Sequence, residues 1–206
     1  MLKVLGRANS INVQKVMWCC AELELAVERV DIGGPFGGNR EPAYLRKNPN
    51  GLVPTLEDGD FVLWESHSIV RYLAGTYGDE PWFPADGQKR ALASQWMDWV
   101  LSALHAPMTA VYRALVRTPP GERDMDAVGV AWDKVGALMA ILDSRLAETA
   151  YVTGDQPSMA DIALGGYPYR WFTLPLERPA LDNLEAWYGR LRDRAAYRDT
   201  VMLPLT

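Results

Sequence analysis

The sequence predicts a small α/β domain followed by a larger, all-helical domain. Short apolar segments alternate with helical patterns as far as residue 78. The segment 79–87 is rich in proline, glycine and acidic residues, a composition typical of a linker. From residue 88 onward, apolar residues recur with helical spacing and no strand pattern follows. We therefore expect domains at 1–78 and 88–206, joined by a linker at 79–87.

The first domain is predicted to follow the order β-α-β and then α-β-β-α. Its first strand is the apolar run Leu2–Leu5, and its first helix begins near Asn12, where apolar residues start to recur with helical spacing. Asp58-Gly59-Asp60 separates two apolar segments, and Asp-Gly is among the strongest short signals for a β-hairpin. The other predicted elements are a strand at 27–32, a helical turn at 43–45, hairpin strands at 55–57 and 61–64, and a helix at 66–77.

The second domain is predicted to contain helices only. Because proline lacks a backbone N–H, we expect Pro107 to bend or break the first of them. The segment Ser158-Met159-Ala160-Asp161 fits a capping box, which closes the first turn of a helix, so we assign Asp161 a folding role and no catalytic one. The predicted helices cover 88–116, 126–146, 159–171, 180–192 and 197–202.

Composition narrows the range of partners and compartments. The chain of 206 residues has a formal net charge of −5 and a pI of about 5.1, which argues against a nucleic-acid partner. No apolar run approaches the roughly 20 residues that a membrane span needs, and the N-terminus lacks the apolar core of a signal peptide. Cys19 and Cys20 are adjacent and form no CxxC pair, and His67 and His105 have no acidic cluster nearby. We expect a cytoplasmic protein without a metal site.

A proline, Pro54, precedes a segment that otherwise has the pattern of a strand. A trans proline at the first strand position is one interpretation. The other is a cis Val53-Pro54 bond, since bonds to proline adopt the cis form most readily. That bond would turn the Val53 main chain outward, where its N–H and C=O can pair with a peptide-like ligand.

The pair Glu65-Ser66 stands at the start of an apolar helix and also has two interpretations. Ser66 can act as a helix cap, worth about 1 kcal/mol, beside an ordinary solvated glutamate. Alternatively, a helix N-terminus is an anion site, where Ser66 would bind a ligand carboxylate. Glu65 would then hold the ammonium group, and the pair would recognise an α-amino acid end group.

These features lie within longer motifs. The segments "NPNGLVPTL", "WESHSIVRYLA" and "TGDQPSMADIAL", with the chain length and element order, resemble the cytosolic glutathione transferase superfamily over nearly the whole chain. The resemblance implies a thioredoxin-like first domain and a cis bond at Val53-Pro54. It also implies that Glu65 and Ser66 hold the γ-glutamyl end of glutathione, and that the Val53 main chain pairs with the cysteinyl part.

The loop "RANSINVQK" is where the resemblance places the chemistry. Members of the family carry a thiolate-stabilising Tyr, Ser or Cys here; this loop contains neither Tyr nor Cys, so Ser10 is the first candidate. The Ser-x-Asn spacing is similar to that of bacterial classes in which the asparagine donates to the sulfur, which makes Asn12 the second candidate. Both residues lie where the first helix begins, so either can instead be a cap.

Further contacts to glutathione follow from the resemblance. Gly51-Leu52 replaces polar or basic residues that hold the glycyl carboxylate in other classes, so Arg40, Lys47 and His67 are candidates for that contact. Asp98 is expected at a dimer interface, from which the equivalent region of relatives reaches the ligand's amino group. An exposed helix acid is the alternative for Asp98.

A wall for a second substrate is expected between the two domains. Its apolar candidates are Met108, Tyr112, Tyr167 and Trp171, although aromatic residues with helical spacing also form cores. His105 is expected to pack or to face solvent. Cys20 falls in the apolar stripe of the first helix, which predicts burial and no catalytic thiol.

The sequence thus predicts a homodimeric, cytosolic glutathione transferase. Glutathione is expected as a substrate and no further cofactor is implied. Its thiolate would attack a small hydrophobic electrophile. Two alternatives stay open: glutathione-dependent reduction of disulfides or peroxides, and a glutathione-binding protein of the same fold without turnover.

Overall fold

The computed structural model describes the whole chain, Met1–Thr206. A mixed four-stranded sheet with helices forms the first part and helices form the rest, which confirms the predicted fold class. The strands are β1 Leu2–Leu5, β2 Val27–Val30, β3 Thr55–Asp58 and β4 Phe61–Trp64. The helices of this part are α1 Ile11–Glu22, α2 Pro42–Leu45 and α3 Ser66–Tyr77, with a 3₁₀ turn at Gly34–Phe36.

The strand order in the sheet is β2-β1-β3-β4. Strands β1 and β2 are parallel because α1 crosses over between them, whereas β3 is antiparallel to both β1 and β4. Gly59 has a φ of +58° at the β3–β4 turn, as the Asp-Gly pair predicts. Strand β2 ends two residues earlier than the predicted 27–32, although the Ile32 carbonyl still accepts a hydrogen bond from the Arg7 N–H at 3.1 Å.

The second part differs from the prediction in how two helices are divided. The helix expected at 88–116 contains π-helical stretches at 100–104 and 113–117, the first just before Pro107, which lacks the N–H that a regular turn needs. The helix expected at 159–171 is two helices, since Pro168 cannot donate to the preceding turn. The helices are α4 Gly87–Trp99, α5 His105–Tyr112, α6 Met125–Leu146, α7 Met159–Leu164, α8 Gly166–Thr173, α9 Asp182–Arg192 and α10 Ala195–Thr200, with a 3₁₀ turn at Pro120–Glu122. The domain boundaries at 78 and 88 stay a prediction.

Helix α1 joins the sheet to the helical part of the molecule. Its Trp18 is fully buried and packs edge-on against Tyr197 of α10, with 4.9 Å between ring centroids. A Cβ atom at Gly165 would lie 2.4 Å from the Trp18 ring, so only glycine permits this approach. The Arg194 guanidinium donates two hydrogen bonds of 2.6 Å to Glu22. One continuous apolar core therefore holds α1 in place, and with it the loop that precedes α1.

The capping box predicted at the start of α7 is present. Ser158 is the N-cap; its hydroxyl accepts from the Ala160 N–H at 3.3 Å, and the Asp161 carboxylate accepts from the Ser158 N–H at 2.8 Å. Asp161 is completely buried and also accepts from the Trp187 indole at 2.9 Å. This cluster ties the start of α7 to α9. None of the helices combines the length and apolar character that a membrane crossing requires.

Candidate active site

Several of the predicted site residues line one cleft. Ser10, Asn12, Val53 and Tyr112 surround a cavity of about 230 Å³ between the loop before α1, the loop before β3 and helix α5. We refer to this cavity as the cleft. It lies between the sheet-containing part of the chain and the helical part.

Ser10 occupies the N-cap position of α1 in an extended conformation, with φ −85° and ψ 121°. Its carbonyl accepts the first helical hydrogen bond, from the Gln14 N–H at 2.8 Å, but its hydroxyl makes no capping bond. The side chain is half-buried and lines the cleft. The hydroxyl is therefore available to a ligand at the positive end of a 12-residue helix.

Asn12 is oriented by a buried lysine. The Lys15 ammonium donates to Asn12 Oδ1 at 3.1 Å, and because the amide oxygen faces the lysine, the Nδ2 donor of Asn12 is left for another partner. Lys15 is 1% exposed. Its other contacts are His67 Nε2 at 2.9 Å and the Tyr167 hydroxyl at 3.3 Å. None of these partners is an anion.

Burial and neighbouring cations control the protonation of this group of residues. Burial, and then the charge of Arg170, lowers the pKa of Lys15 to about 7. Burial lowers the pKa of His67 to about 2, and the Lys15 charge adds to that effect. His105, whose Nδ1 lies 2.9 Å from the Tyr167 hydroxyl, has its pKa lowered to about 4, mainly by burial. Both histidines are therefore neutral at pH 7.

The position of His67 corrects one prediction. It was a candidate for the glycyl carboxylate, but it is 1% exposed, does not line the cleft and bonds Lys15. Its place on the inner face of α3 explains the difference, since the ring packs between α3 and α1. Lys47, another candidate, is ion-paired with Glu57. Arg40 keeps its candidacy: it is exposed and packs beside Gly51, where a Cβ atom would lie 2.7 Å from its Nη1.

The peptide bond Val53-Pro54 is cis, as predicted. The loop before it is held by side chains: Asn48 Nδ2 donates to the Leu52 carbonyl at 2.9 Å, and the Tyr44 hydroxyl donates to the same oxygen. Asn48 is 2% exposed. The Val53 main chain is thus fixed at the edge of the cleft before any ligand arrives.

Glu65 and Ser66 stand at the start of α3, away from the cleft lining. Glu65 has a φ of +72°, in the left-handed region that non-glycine residues rarely adopt and that costs about 1–3 kcal/mol. Its carboxylate is exposed and forms no ion pair within the chain, and Ser66 is 4% exposed. Strained backbone of this kind is concentrated at ligand sites. Asp98 is paired with Arg71 of its own chain and is otherwise exposed.

The predicted apolar wall is largely wrong. Met108, Tyr167 and Trp171 are fully buried and do not line the cleft. Their helical spacing identified the buried face of α5 and α8, which is the core interpretation of that pattern. Tyr112 does line the cleft, and its hydroxyl donates to the main-chain oxygen of Thr206.

Arginines line the cleft in place of this apolar wall, and the sequence analysis did not predict them. Four arginines line it, namely Arg7, Arg113, Arg117 and Arg170. The spacing of Arg113 and Arg117, four residues apart, places them on one helix face and was the available signal. Cys20, by contrast, is buried as predicted, and burial raises its pKa to about 12; its neighbour Cys19 is buried as well.

Comparison with known proteins identifies the family. A model of the glutathione S-transferase N-terminal domain matches residues 5–81, and a model of the C-terminal domain matches residues 91–190. Glutathione S-transferase GstB of Escherichia coli strain K12 is 41% identical over 208 residues, covering 100% of both chains. The chain belongs to the glutathione S-transferase family. The predicted function, that of a glutathione S-transferase and hence a transferase enzyme, is confirmed.

Solved glutathione S-transferase structures share the whole fold. The theta class enzyme from Xanthomonas axonopodis pv. citri with glutathione bound is 46% identical, with a TM-score of 0.96, and the match covers 100% of this chain and 99% of that one. The apo form of the same enzyme matches at 40% identity with a TM-score of 0.88, covering 100% and 98%. This transferase therefore resembles the glutathione-bound form more closely in backbone.

Proposed function

We propose that this transferase binds glutathione along the edge of β3 and activates its thiol at Ser10 and Asn12. The observation that carries the proposal is the unused pair of donors at the N-terminus of α1. The Ser10 hydroxyl makes no capping bond, and Lys15 engages only the oxygen of the Asn12 amide. The similarity in backbone to the glutathione-bound Xanthomonas enzyme supports the same assignment.

Thiol activation requires a modest free energy. A free cysteinyl thiol has a pKa of about 8.5, so only a few per cent is thiolate at pH 7. Lowering that pKa by about two units is equivalent to about 2.7 kcal/mol. Two hydrogen bonds to the sulfur, from Ser10 and Asn12, together with the α1 dipole, are sufficient to supply it. The thiolate then attacks the electrophile, forming a carbon–sulfur bond as the leaving group departs.

The γ-glutamyl end of glutathione is assigned to Glu65 and Ser66. The N-terminus of α3 and the Ser66 hydroxyl would bind its carboxylate, and the free Glu65 carboxylate its ammonium group. The Val53 main chain would pair with the cysteinyl residue. Arg40 is the remaining candidate for the glycyl carboxylate. Replacing Glu65 or Ser66 by alanine would weaken glutathione binding by about 1–3 kcal/mol, measurable by calorimetry.

We also propose a cytoplasmic homodimer. Large apolar side chains are exposed on β4 and on the helix after the linker, including Phe61, Trp64 and Leu92. Such a group of side chains supports a self-association surface. Asp98 lies on the same helix, α4, and would reach the ligand of the partner after releasing Arg71. Light scattering of the purified protein measures the oligomeric state.

The test of the proposed chemistry compares Ser10→Ala, Asn12→Ala and the double variant. Each single change is expected to raise the pKa of enzyme-bound glutathione, and the double variant to raise it further. Ultraviolet absorbance of the thiolate against pH measures this, beside the rate with an aryl halide. A loss of up to 10²–10³ in rate is the scale for removing one preorganised donor, and sharing between two donors makes each single loss smaller.

The possible outcomes separate the roles of the two residues. If only Asn12→Ala shifts the thiolate pKa and the rate, Ser10 is a helix cap alone. If neither variant shifts them, the catalytic centre does not lie in this loop. A parallel panel with a hydroperoxide and a mixed disulfide tests the reductase alternative, and glutathione binding without turnover in any assay would favour a binding protein.

A further inference from the structure

We propose that the electrophile of this transferase carries a negative charge, and that the arginines of the cleft recognise it. This inference rests on the proposed glutathione site and names the class of the second substrate. It replaces the hydrophobic electrophile predicted from the family resemblance. The observation is the set of charged side chains that line the cleft: four arginines, and no aspartate or glutamate.

That charge distribution is opposite to that of the whole chain. The protein has a formal net charge of −5, yet the cleft gathers four guanidinium groups around 230 Å³. None of these arginines takes part in any of the salt bridges of the chain. A cationic cluster that is paired with no aspartate or glutamate raises the local concentration of anions and strengthens their binding.

The guanidinium of Arg170 is a preorganised binding group within the cluster. It is 5% exposed, and its Nη1 is buried without a hydrogen-bond partner. Its guanidinium carbon lies 3.9 Å from the centroid of the Tyr112 ring, which holds the plane of the group in place. A buried cationic donor without a partner is costly, so it indicates a missing ligand.

The other arginines surround the same space. Arg7 belongs to the loop that carries Ser10, and its carbonyl accepts from the Ser10 N–H at 3.2 Å. Arg113 is exposed at the end of α5. Arg117 donates to the Tyr112 hydroxyl at 3.4 Å and to the Thr206 main-chain oxygen at 3.3 Å. Burial, followed by the charge of Arg117, lowers the pKa of Arg7, which shows that these cations repel one another.

A carboxylate matches this arrangement. The planar guanidinium fork binds carboxylates through two parallel hydrogen bonds, and the low exposure of Arg170 makes such bonds stronger than at a surface. Because Arg7 and Ser10 share one loop, an electrophilic carbon next to the bound carboxylate would lie near the sulfur. The thiolate attacks that carbon, the carbon–sulfur bond forms, and a halide leaves with the bonding electron pair.

Chloroacetate and chloroacetamide are the probes, since they differ in charge but share size and leaving group. For each, kcat/KM is divided by the rate constant of the uncatalysed reaction with glutathione at the same pH. We expect this enhancement to be at least tenfold larger for chloroacetate. Using the ratio of the two probes cancels any effect of the arginines on the thiolate itself.

Three variants test the role of the cluster. Arg113→Gln removes an exposed charge, so it leaves the core intact, and Arg170→Lys keeps the charge but removes the fork, with circular dichroism as its folding check. Each is expected to lower the acid-to-amide ratio by about tenfold, the scale of a hydrogen bond to a charged group. Arg192→Gln, which removes an exposed charge outside the cleft, is the matched control and is expected to leave the ratio unchanged.

Product binding gives a readout without turnover. Calorimetry compares S-(carboxymethyl)glutathione with S-(carbamoylmethyl)glutathione, and we expect the acid to bind about tenfold more tightly to the wild type but not to Arg113→Gln. Glutathione affinity itself is expected to be unchanged in Arg113→Gln.

The proposal is overturned if the wild type gives chloroacetate and chloroacetamide the same rate enhancement and binds their two glutathione products equally tightly. It is also overturned by a loss of glutathione affinity in Arg113→Gln that matches the loss with the acid, because the arginine then serves glutathione. Absence of enhancement with both probes and with an aryl halide would instead count against the proposed thiolate chemistry.

Discussion

Two buried ionisable groups in this molecule differ in the hydrogen-bond partners that surround them. Asp161 at the start of α7 is completely buried and accepts four hydrogen bonds. Lys15 on α1 is equally buried, but its three polar contacts are all to neutral groups. Donors that favour its charge surround the carboxylate and oppose the burial that raises its pKa, whereas the ammonium has no anion among its hydrogen-bond partners.

This difference in partners corresponds to whether the group contacts a residue of the cleft. Asp161 ties α7 to α9 and does not line the cleft, so its donors serve folding. Lys15 bonds Asn12, which lines the cleft, so its unfavourable burial coincides with the proposed thiolate site. Ionisable groups with strongly shifted pKa values concentrate at functional sites for this reason. The comparison predicts that substitutions at Asp161 lower stability and leave function unchanged, whereas substitutions at Lys15 impair function without lowering stability.

The largest effect is expected for Asp161→Ala. The change leaves buried donors of Val152, Ser158 and Trp187 without an acceptor, so we expect a loss of about 3–5 kcal/mol in the free energy of unfolding. Urea unfolding followed by circular dichroism measures it. Glutathione affinity of the folded fraction is expected to stay the same. A loss below about 1 kcal/mol would contradict the folding role.

Lys15→Met is expected to have the opposite signature. Replacing a buried cation by an apolar chain of similar length is expected to stabilise the protein by about 1–4 kcal/mol. Because the pKa of Lys15 is about 7 in the folded protein and about 10.4 when unfolded, the unfolded chain binds more protons between these values. Lys15 therefore lowers stability fully below pH 7, and this penalty decreases as the pH rises to about 10.

Urea unfolding of Lys15→Met and the wild type at pH 6 and pH 9 checks this dependence. The stability advantage of the variant is expected to be larger at pH 6. The thiolate pKa of bound glutathione is expected to rise, since Asn12 loses the group that orients its amide. A variant that is less stable at both pH values, with an unchanged thiolate pKa, would make Lys15 an ordinary packing residue.

His67→Leu tests the buried contact between Lys15 and His67 at acidic pH. The pKa of His67 is about 2 in the folded protein and about 6.5 when unfolded, so wild-type stability falls as the pH decreases below about 6.5. Removing this titration is expected to reduce the loss of folding free energy between pH 6.5 and 4.5 by about 2 kcal/mol. Unfolding curves at these two pH values measure the change. An unchanged acid dependence would show that the pKa of His67 is nearly the same in the folded and unfolded protein.

Ser158→Ala is expected to give the smallest effect. It removes one cap while Asp161 keeps its main-chain and indole donors, so we expect a loss of about 1 kcal/mol and a lower melting temperature. Glutathione affinity is expected to be unaffected. A loss equal to that of Asp161→Ala would mean that the whole box depends on the serine hydroxyl.

The sequence by itself determined the elements that local rules control. The Asp-Gly turn before β4, the capping box at Ser158 and the position of Ser10 at the start of α1 were predicted, because turn and cap preferences act within a few residues. The order of strands and helices in the first part followed from the alternation of short apolar segments with helical patterns. The cis bond before Pro54 came from the family motif.

Only the tertiary structure decided what surrounds the cleft. A lysine in helix α1 is ordinarily exposed, and Lys15 is buried because His67 and Tyr167, 52 and 152 residues away, pack around it. The arginine cluster likewise combines the loop before α1 with α8, which only packing brings together. Helical periodicity reports that Met108 and Trp171 face inward, but it does not distinguish a core from a cleft, since both are formed by inward faces of several helices.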